Sequence, residues 1–165
     1  MSEQLDLFAE PEKNKLDSEN IPKSSNNHRI LYFDLETQKS ADDVGGWGNI
    51  HDMKLAVGVV WDSVDQKHFS YLESEASQLV EKLCMADLVV GFNVKKFDYT
   101  VLQPYADFDL SEIVTFDMLD DIKSKLNHRL SLNHLAENTL NAKKSADGLV
   151  SLQWYKEGKI DKIIE

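Results

Sequence analysis

The chain has 165 residues, 42% of them hydrophobic and 28% charged, so it can form one domain with a buried core. Its 18 Lys and Arg stand against 29 Asp and Glu, and the net charge of -11 argues against a protein that coats nucleic acid by general attraction to phosphate. One cysteine, Cys84, excludes an internal disulfide and a cysteine zinc site, and the short apolar runs predict no membrane span. Because the polar N-terminus also lacks a signal-peptide pattern, we expect a cytoplasmic protein.

The N-terminal segment differs in composition from the rest of the chain. Between Glu10 and His28, only Leu16 and Ile21 are sizeable apolar side chains. Such a segment buries too little surface to offset its ordering entropy. Residues 1–28 are therefore predicted to be a flexible tail, and residues 29–165 a folded domain.

From Arg29 onward, the apolar pattern predicts an α/β domain. Strands are predicted at residues 30–37, 55–61, 68–72, 88–92 and 113–116, with a glycine-rich loop at 44–48. Helices are predicted at 74–85, 97–105, 117–126, 132–140 (with Ser131 as N-cap) and 149–157. The short links between the first three strands favour antiparallel pairing, and the continuously apolar 88–92 is typical of a buried parallel strand.

Two carboxylates lie two residues apart on the first predicted strand. Strand periodicity puts Asp34 and Glu36 on the same face, just before a loop. Side by side they repel each other unless a cation lies between them, which makes the pair a natural site for a hard metal. A solvated strand end is the alternative. Against it, Tyr32, Phe33 and Leu35 surround the pair with apolar groups, and burial of uncompensated charge is costly.

A third carboxylate follows the fourth predicted strand. The sequence G-F-N-V-K-K-F-D at 91–98 ends a buried strand and begins a helix, so Asp98 lies in the first helical turn. Its charge suits the positive end of the helix dipole, and the loop can present it at the strand ends. By itself, Asp98 could equally be a helix-capping residue.

The two motifs together resemble a known family. D-L-E on a first strand, followed by G-F-N-x-x-x-F-D, resembles the first two motifs of the DEDD 3′–5′ exonucleases, most closely the proofreading domain of family B DNA polymerases. The stretches D-L-E-T-Q, V-G-G-W-G-N and K-K-S-A-D-G-L resemble small bacterial predicted exonucleases. The resemblance spans about residues 30 to 165. It implies a ribonuclease H-like α/β fold with a mixed five-stranded sheet, three antiparallel strands followed by two parallel ones, flanked by helices.

The resemblance also implies a chemistry. Asp34, Glu36 and Asp98 would bind two Mg²⁺ or Mn²⁺ ions that hydrolyse terminal phosphodiesters of DNA, or less readily RNA. The substrate would be single-stranded or 3′-terminal nucleic acid. Substrate contacts are expected from Leu35, Thr37, Trp47, Asn93 and Lys96. Alternatively, Asn93 holds the motif loop in place and Lys96 belongs to a solvated helix face. Trp47 either stacks on a base or fills the core.

The third motif of this family is absent from the sequence. It places a Tyr four residues, or a His five residues, before a metal-binding Asp. Lys143 and Ala142 precede Asp147 at those positions, and Tyr155 and Asp161 are six residues apart. Because residues 160–165 resemble the approach to this motif, a C-terminal truncation is expected. The alternative is a non-catalytic ribonuclease H-like module that binds nucleic acid or protein.

The tail carries one more motif. Gln4, Leu5, Asp6, Leu7 and Phe8 are similar to the pentapeptide by which bacterial replication and repair proteins bind the sliding clamp. Leu and Phe would fill an apolar pocket while Gln forms hydrogen bonds. Alternatively, the Leu and Phe side chains pack on their own domain.

Overall fold

A five-stranded mixed sheet organises the computed structural model, which describes residues 28–142 and 148–164. Its spatial order is β3-β2-β1-β4-β5. The strands are β1 (Ile30–Thr37), β2 (Leu55–Asp62), β3 (Lys67–Leu72), β4 (Leu88–Gly91) and β5 (Thr115–Asp117). β1, β2 and β3 pair antiparallel, and β4 and β5 add in parallel. The predicted sheet of three antiparallel and two parallel strands is therefore confirmed.

Helices follow the strands in chain order. The α-helices are α1 (Ala76–Cys84), α2 (Asp98–Leu102), α3 (Met118–Leu126), α4 (Leu132–Leu140), α5 (Gly148–Lys156) and α6 (Asp161–Ile164). Ser131 caps α4 by accepting the backbone N–H of His134, as predicted. Short 3-10 helices occupy Asp42–Val44, Trp47–Asp52, Glu73–Glu75, Gln103–Tyr105 and Leu110–Glu112.

Several predicted boundaries were wrong, each for a local reason. The helix predicted at 97–105 ends at Leu102 and continues as a 3-10 turn that contains Pro104. The strand predicted at 113–116 is β5, which starts only at Thr115 because Leu110–Glu112 forms a turn capped by Asp109. The predicted glycine-rich loop at 44–48 contains the end of one 3-10 helix and the start of the next, joined by Gly45 and Gly46. The sequence pattern did not predict α6.

The core lies on one face of the sheet. Leu31, Phe33 and Leu35 of β1 are buried there together with Leu79 and Leu83 of α1, and the buried side chains of α2 join the same cluster. The leucines of α1 and the alternating apolar residues of β1 join one cluster because each pattern puts its apolar groups on one side. This packing leaves the opposite face of β1 for polar side chains.

Gly91 sets where β4 ends. A Cβ at this position would lie 2.1 Å from Cγ2 of Val94 and 2.7 Å from the carbonyl oxygen of Phe33. Only glycine lets the chain turn this tightly beneath β1. The turn brings the following loop next to the end of β1.

A buried ion network joins the start of β1 to the β2–β3 turn and α1. The fully buried Asp62 accepts hydrogen bonds from Arg29 and from Nζ of Lys82, the latter at 2.6 Å. Burial raises the pKa of Asp62, but the hydrogen bond from Lys82 and those from the backbone amides of Asp65 and Val64 outweigh it and hold the pKa well below its ordinary value. The network lies at the opposite end of β1 from Asp34 and Glu36.

The predicted tail, with its motif Gln4–Phe8, lies outside the described residues apart from His28. Among the helices of the described ranges, none is long and apolar enough to cross a bilayer.

Candidate active site

Asp34 and Glu36 lie on the same face of β1, as strand periodicity predicts. Phe33, Leu35 and Thr37 alternate with them and are buried on the other face. The expectation that apolar groups surround the acidic pair was wrong for Phe33, because successive strand residues point to opposite sides of a sheet. Asp34 is exposed and Glu36 is half-buried.

The buried carboxylate is Asp98, the first residue of α2. Only 2% of its surface is exposed, and its Oδ1 is the one buried side-chain polar atom of the described residues that has no hydrogen-bond partner. Natural proteins seldom leave such an atom unpaired, because the desolvation cost is about 1–3 kcal/mol. An unpaired buried oxygen that lines a cavity is the kind of donor that a divalent cation binds.

The electrostatics of Asp98 agree with this description. Burial raises its pKa well above the ordinary value, and the nearby charges of Asp34 and Asp117 raise it further. The backbone N–H groups of Asp98 and Leu35 act in the opposite direction without compensating. Asp34 is thus close enough to Asp98 to disfavour the ionised form of the Asp98 carboxyl.

These residues line a cavity of about 650 Å³. Its walls include Asp34, Glu36 and Asp98 together with Leu35, Thr37 and Trp47. Asp34 and Asp98 are 64 residues apart in the chain. They line one cavity because β1 and the loop after β4 end at the same edge of the sheet. A cavity of this size fits a ligand of about nucleotide dimensions.

Two of the predicted substrate residues lie elsewhere. Asn93 and Lys96 do not contribute to the walls of this cavity: Asn93 is half-buried with a left-handed backbone at φ 65°, and Lys96 is exposed. Asn tolerates this conformation better than most residues, which explains its place in the tight loop. The loop from Asn93 to Phe97 is wound by hydrogen bonds from the backbone amides of Lys96 and Phe97 to the carbonyl of Asn93.

Trp47 is a wall residue rather than a core residue. Its side chain is 71% exposed, and its ring centroid lies 6.4 Å from that of Phe97 at the cavity edge. The alternative that Trp47 fills the core was therefore wrong. The preceding turn, with Gly45 at φ 83° and Gly46 at φ 119°, holds the indole out of the core.

Sequence reasoning missed the late helices as a wall of the site. Leu132 of α4 and Leu149 and Leu152 of α5 also line the cavity. Their spacing predicted helices, but a helical pattern does not say which face of the sheet the helix will cover. No signal in the sequence linked them to the carboxylates.

The carboxylates have the chemistry of hard-metal ligands, but they are not assembled around one point. Within 28–142 and 148–164, no three His, Cys, Asp or Glu side chains are arranged to hold a metal ion. Two features of the site therefore suit Mg²⁺ or Mn²⁺: carboxylate oxygens that line one cavity, and the unpaired Oδ1 of Asp98.

Fold and site together define a ribonuclease H-like, nuclease-like domain. Residues 31–158 match the RNase_H superfamily, and the chain belongs to that superfamily. A comparison with curated proteins finds no significant match.

A solved structure supports the same fold. The chain is similar to the family B DNA polymerase from the hyperthermophilic archaeon Pyrobaculum calidifontis, with a TM-score of 0.60 and 16% sequence identity. The similarity covers 82% of this chain but only 22% of the polymerase chain. The ribonuclease H-like fold predicted from the sequence is therefore confirmed.

Proposed function

We propose that this domain is a metal-dependent 3′–5′ exonuclease-like domain that acts in the cytoplasm on the termini of DNA, or less readily RNA. The observation that carries the proposal is the buried Asp98, whose unpaired Oδ1 shares a cavity with Asp34 and Glu36. Membership of the RNase_H superfamily supports a nuclease-type role for this cavity. The resemblance of the D-L-E and G-F-N-x-x-x-F-D motifs to the DEDD exonucleases favours terminal cleavage.

Asp34, Glu36 and Asp98 would hold the divalent ions. When bound, Mg²⁺ or Mn²⁺ would supply an activated water and stabilise charge on the attacking and leaving oxygens of the phosphodiester. The unpaired oxygen of Asp98 is the fixed donor, since its backbone is anchored at the start of α2 and its side chain is buried. The exposed Asp34 side chain lines the same cavity.

The other cavity residues would position the substrate. The exposed indole of Trp47 is available to stack on a terminal base, while Leu35 and Thr37 line the cavity beside the carboxylates. Lys96 lies outside the cavity walls and two residues before Asp98, where it can meet a backbone phosphate. Unpaired or 3′-terminal nucleic acid suits these groups, because a base must leave its stack to reach Trp47.

Cleavage of a labelled oligonucleotide tests the proposal. With Mn²⁺, a 5′-labelled single strand should shorten stepwise from its 3′ end, and a 3′-blocked strand should resist. Asp34→Ala should lose this activity, whereas the matched control Asp107→Ala, an exposed residue outside the cavity, should retain it. Equal cleavage by Asp34→Ala and the wild-type chain would refute the assignment of the metal site.

A non-catalytic ribonuclease H-like module is the second candidate. The observation that favours it is that, within 28–142 and 148–164, no three His, Cys, Asp or Glu side chains are arranged to hold a metal ion. This candidate expects the protein to bind an oligonucleotide or a protein with no cleavage in Mn²⁺. Retention of an intact labelled strand, with unchanged binding by Asp34→Ala, would favour it over the enzyme.

We also propose that the segment Gln4–Phe8 tethers the domain to a bacterial sliding clamp. The match of Gln4, Leu7 and Phe8 to the clamp-binding pentapeptide supports this, and a tether would compensate for the weak general attraction of an acidic domain to DNA. A peptide of residues 1–12 should compete with the chain for the clamp. Absence of binding at about 100 µM peptide would contradict the tether.

A further inference from the structure

The last residue of β5 is a buried carboxylate that bonds to the loop carrying Asp98. Asp117 is 4% exposed and lies beside Gly91 in the parallel β4–β5 pair. Its Oδ1 accepts the backbone N–H of Asn93 at 2.8 Å, and its Oδ2 accepts the backbone N–H of Lys95 at 3.1 Å. Two amides of the loop after β4 are thus bound by one side chain from the neighbouring strand.

The same carboxylate also begins α3. Oδ1 of Asp117 accepts the backbone N–H of Leu119 at 3.0 Å, which is a standard N-cap bond. The bonds to Asn93 and Lys95 are long-range, and a helix cap does not require them.

The loop has backbone hydrogen bonds of its own, and Asp117 adds an anchor from the neighbouring strand. Asn93 has a left-handed backbone at φ 65°. The amides of Asn93 and Lys95 converge on the two oxygens of the Asp117 carboxylate. A second bond, between the hydroxyls of Tyr99 and Thr115 at 2.6 Å, ties the residue after Asp98 to β5.

We infer that Asp117 is a positioning residue of the proposed metal site: it holds the loop from Asn93 to Phe97 so that the Asp98 carboxyl stays aimed into the cavity. This inference rests on the proposed function. Asp117 does not line the cavity and is not offered as a ligand. Its effect on a bound ion would pass through the loop, as outer groups around a metal commonly act.

Three substitutions separate the two roles of Asp117. Asp117→Ser keeps a good N-cap oxygen for Leu119 but is too short to bond the loop. Asp117→Asn keeps one acceptor and replaces the other by a donor, so it loses the bond to Lys95. Asp109→Asn is the matched control, because Asp109 also caps a turn by accepting the N–H of Ser111 but does so on the surface, away from the loop.

The measurements are amide hydrogen exchange and Mn²⁺ affinity. Asp117→Ser should speed exchange at the amides of Asn93 and Lys95 about 10- to 100-fold, because charge-assisted bonds are lost, with little change at β1. Its Kd for Mn²⁺, from paramagnetic broadening of cavity resonances, should rise about 10-fold or more. Asp117→Asn should lie between Asp117→Ser and the wild-type chain, and Asp109→Asn should match the wild-type chain.

The outcomes distinguish this inference from the proposed function. Unchanged exchange at Asn93 and Lys95 in Asp117→Ser would overturn the inference, and so would faster exchange with wild-type Mn²⁺ affinity. The proposed function and the inference both fail if the wild-type chain does not bind Mn²⁺. They also fail if Asp34→Ala does not abolish the binding of Mn²⁺. Should Asp117→Ser not fold, the intermediate affinity and exchange of Asp117→Asn provide the same decision.

Discussion

Asp98→Asn is expected to stabilise the metal-free protein at neutral pH. The substitution keeps the shape of a buried side chain but removes a charge that burial and Asp34 both oppose. The substitution also replaces a carboxyl whose Oδ1 is buried without a hydrogen-bond partner. Relief of one buried unpaired group is worth about 1–3 kcal/mol, which corresponds to about 3–10 °C in Tm for a domain of this size.

The sign of the pH dependence follows from the raised pKa. A carboxyl with a higher pKa in the folded than in the unfolded state binds more protons when folded, so stability falls as pH rises above the ordinary value of 3.8. The advantage of Asp98→Asn should therefore be small below that pH and complete once pH exceeds the folded-state pKa. Asp107→Asn, an exposed control, should change stability by less than about 0.5 kcal/mol at any pH.

Thermal melts from pH 3 to 9, with and without Mn²⁺, provide the assay. At 100 times its Kd, Mn²⁺ should stabilise the wild-type protein by about 2.7 kcal/mol and the Asp98→Asn protein by much less, because the fixed donor is gone. The reasoning fails if Asp98→Asn lowers Tm at neutral pH, or if its gain in Tm is the same at pH 3 and pH 8. Equal stabilisation of both proteins by Mn²⁺ would instead remove Asp98 from the metal site.

Three further substitutions test other parts of the structure. Asp62→Asn should cost up to about 3–5 kcal/mol at pH 7 in urea unfolding, because Lys82 and Arg29 lose the buried carboxylate and retain only the more exposed Asp65 in this network. Since the folded pKa of Asp62 is depressed, this cost should shrink as pH falls below the ordinary value, and a loss that is equal at pH 3 would contradict the network. Gly91→Ala should lower the free energy of unfolding by about 1–3 kcal/mol through overpacking. Gly58→Ala should lower it less, because its Cβ would meet only the flexible end of a leucine. The reverse order of urea midpoints would contradict the close turn at Gly91. Trp47→Ala should leave Tm within about 2 °C of the wild-type value, because the indole is exposed. In fluorescence titration it should weaken oligonucleotide binding by about 1–3 kcal/mol. If the variant binds as tightly as the wild-type chain, stacking on Trp47 is excluded.

Local pattern predicted the sheet well, since its information is carried by neighbouring residues. Alternation along β1 put Asp34 and Glu36 on one face, and the change from alternating to continuous apolar residues distinguished β4 from the antiparallel strands. The boundaries were less accurate where a turn competed with a helix or strand, as at Pro104 and before Thr115. Those competitions depend on backbone hydrogen bonds that a residue pattern does not specify.

The sequence by itself determined the α/β class and the five strands, because strand and helix periods and turn residues are local properties of the chain. The ribonuclease H-like fold and the expectation of three metal-binding carboxylates came from the resemblance of its motifs to a known family. Only the tertiary structure decided which carboxylate is buried, that Trp47 faces solvent, that α4 and α5 wall the cavity, and that Asp117 bonds the loop before Asp98. Burial and hydrogen bonding between distant segments depend on what covers each face, and that is fixed only when the elements pack.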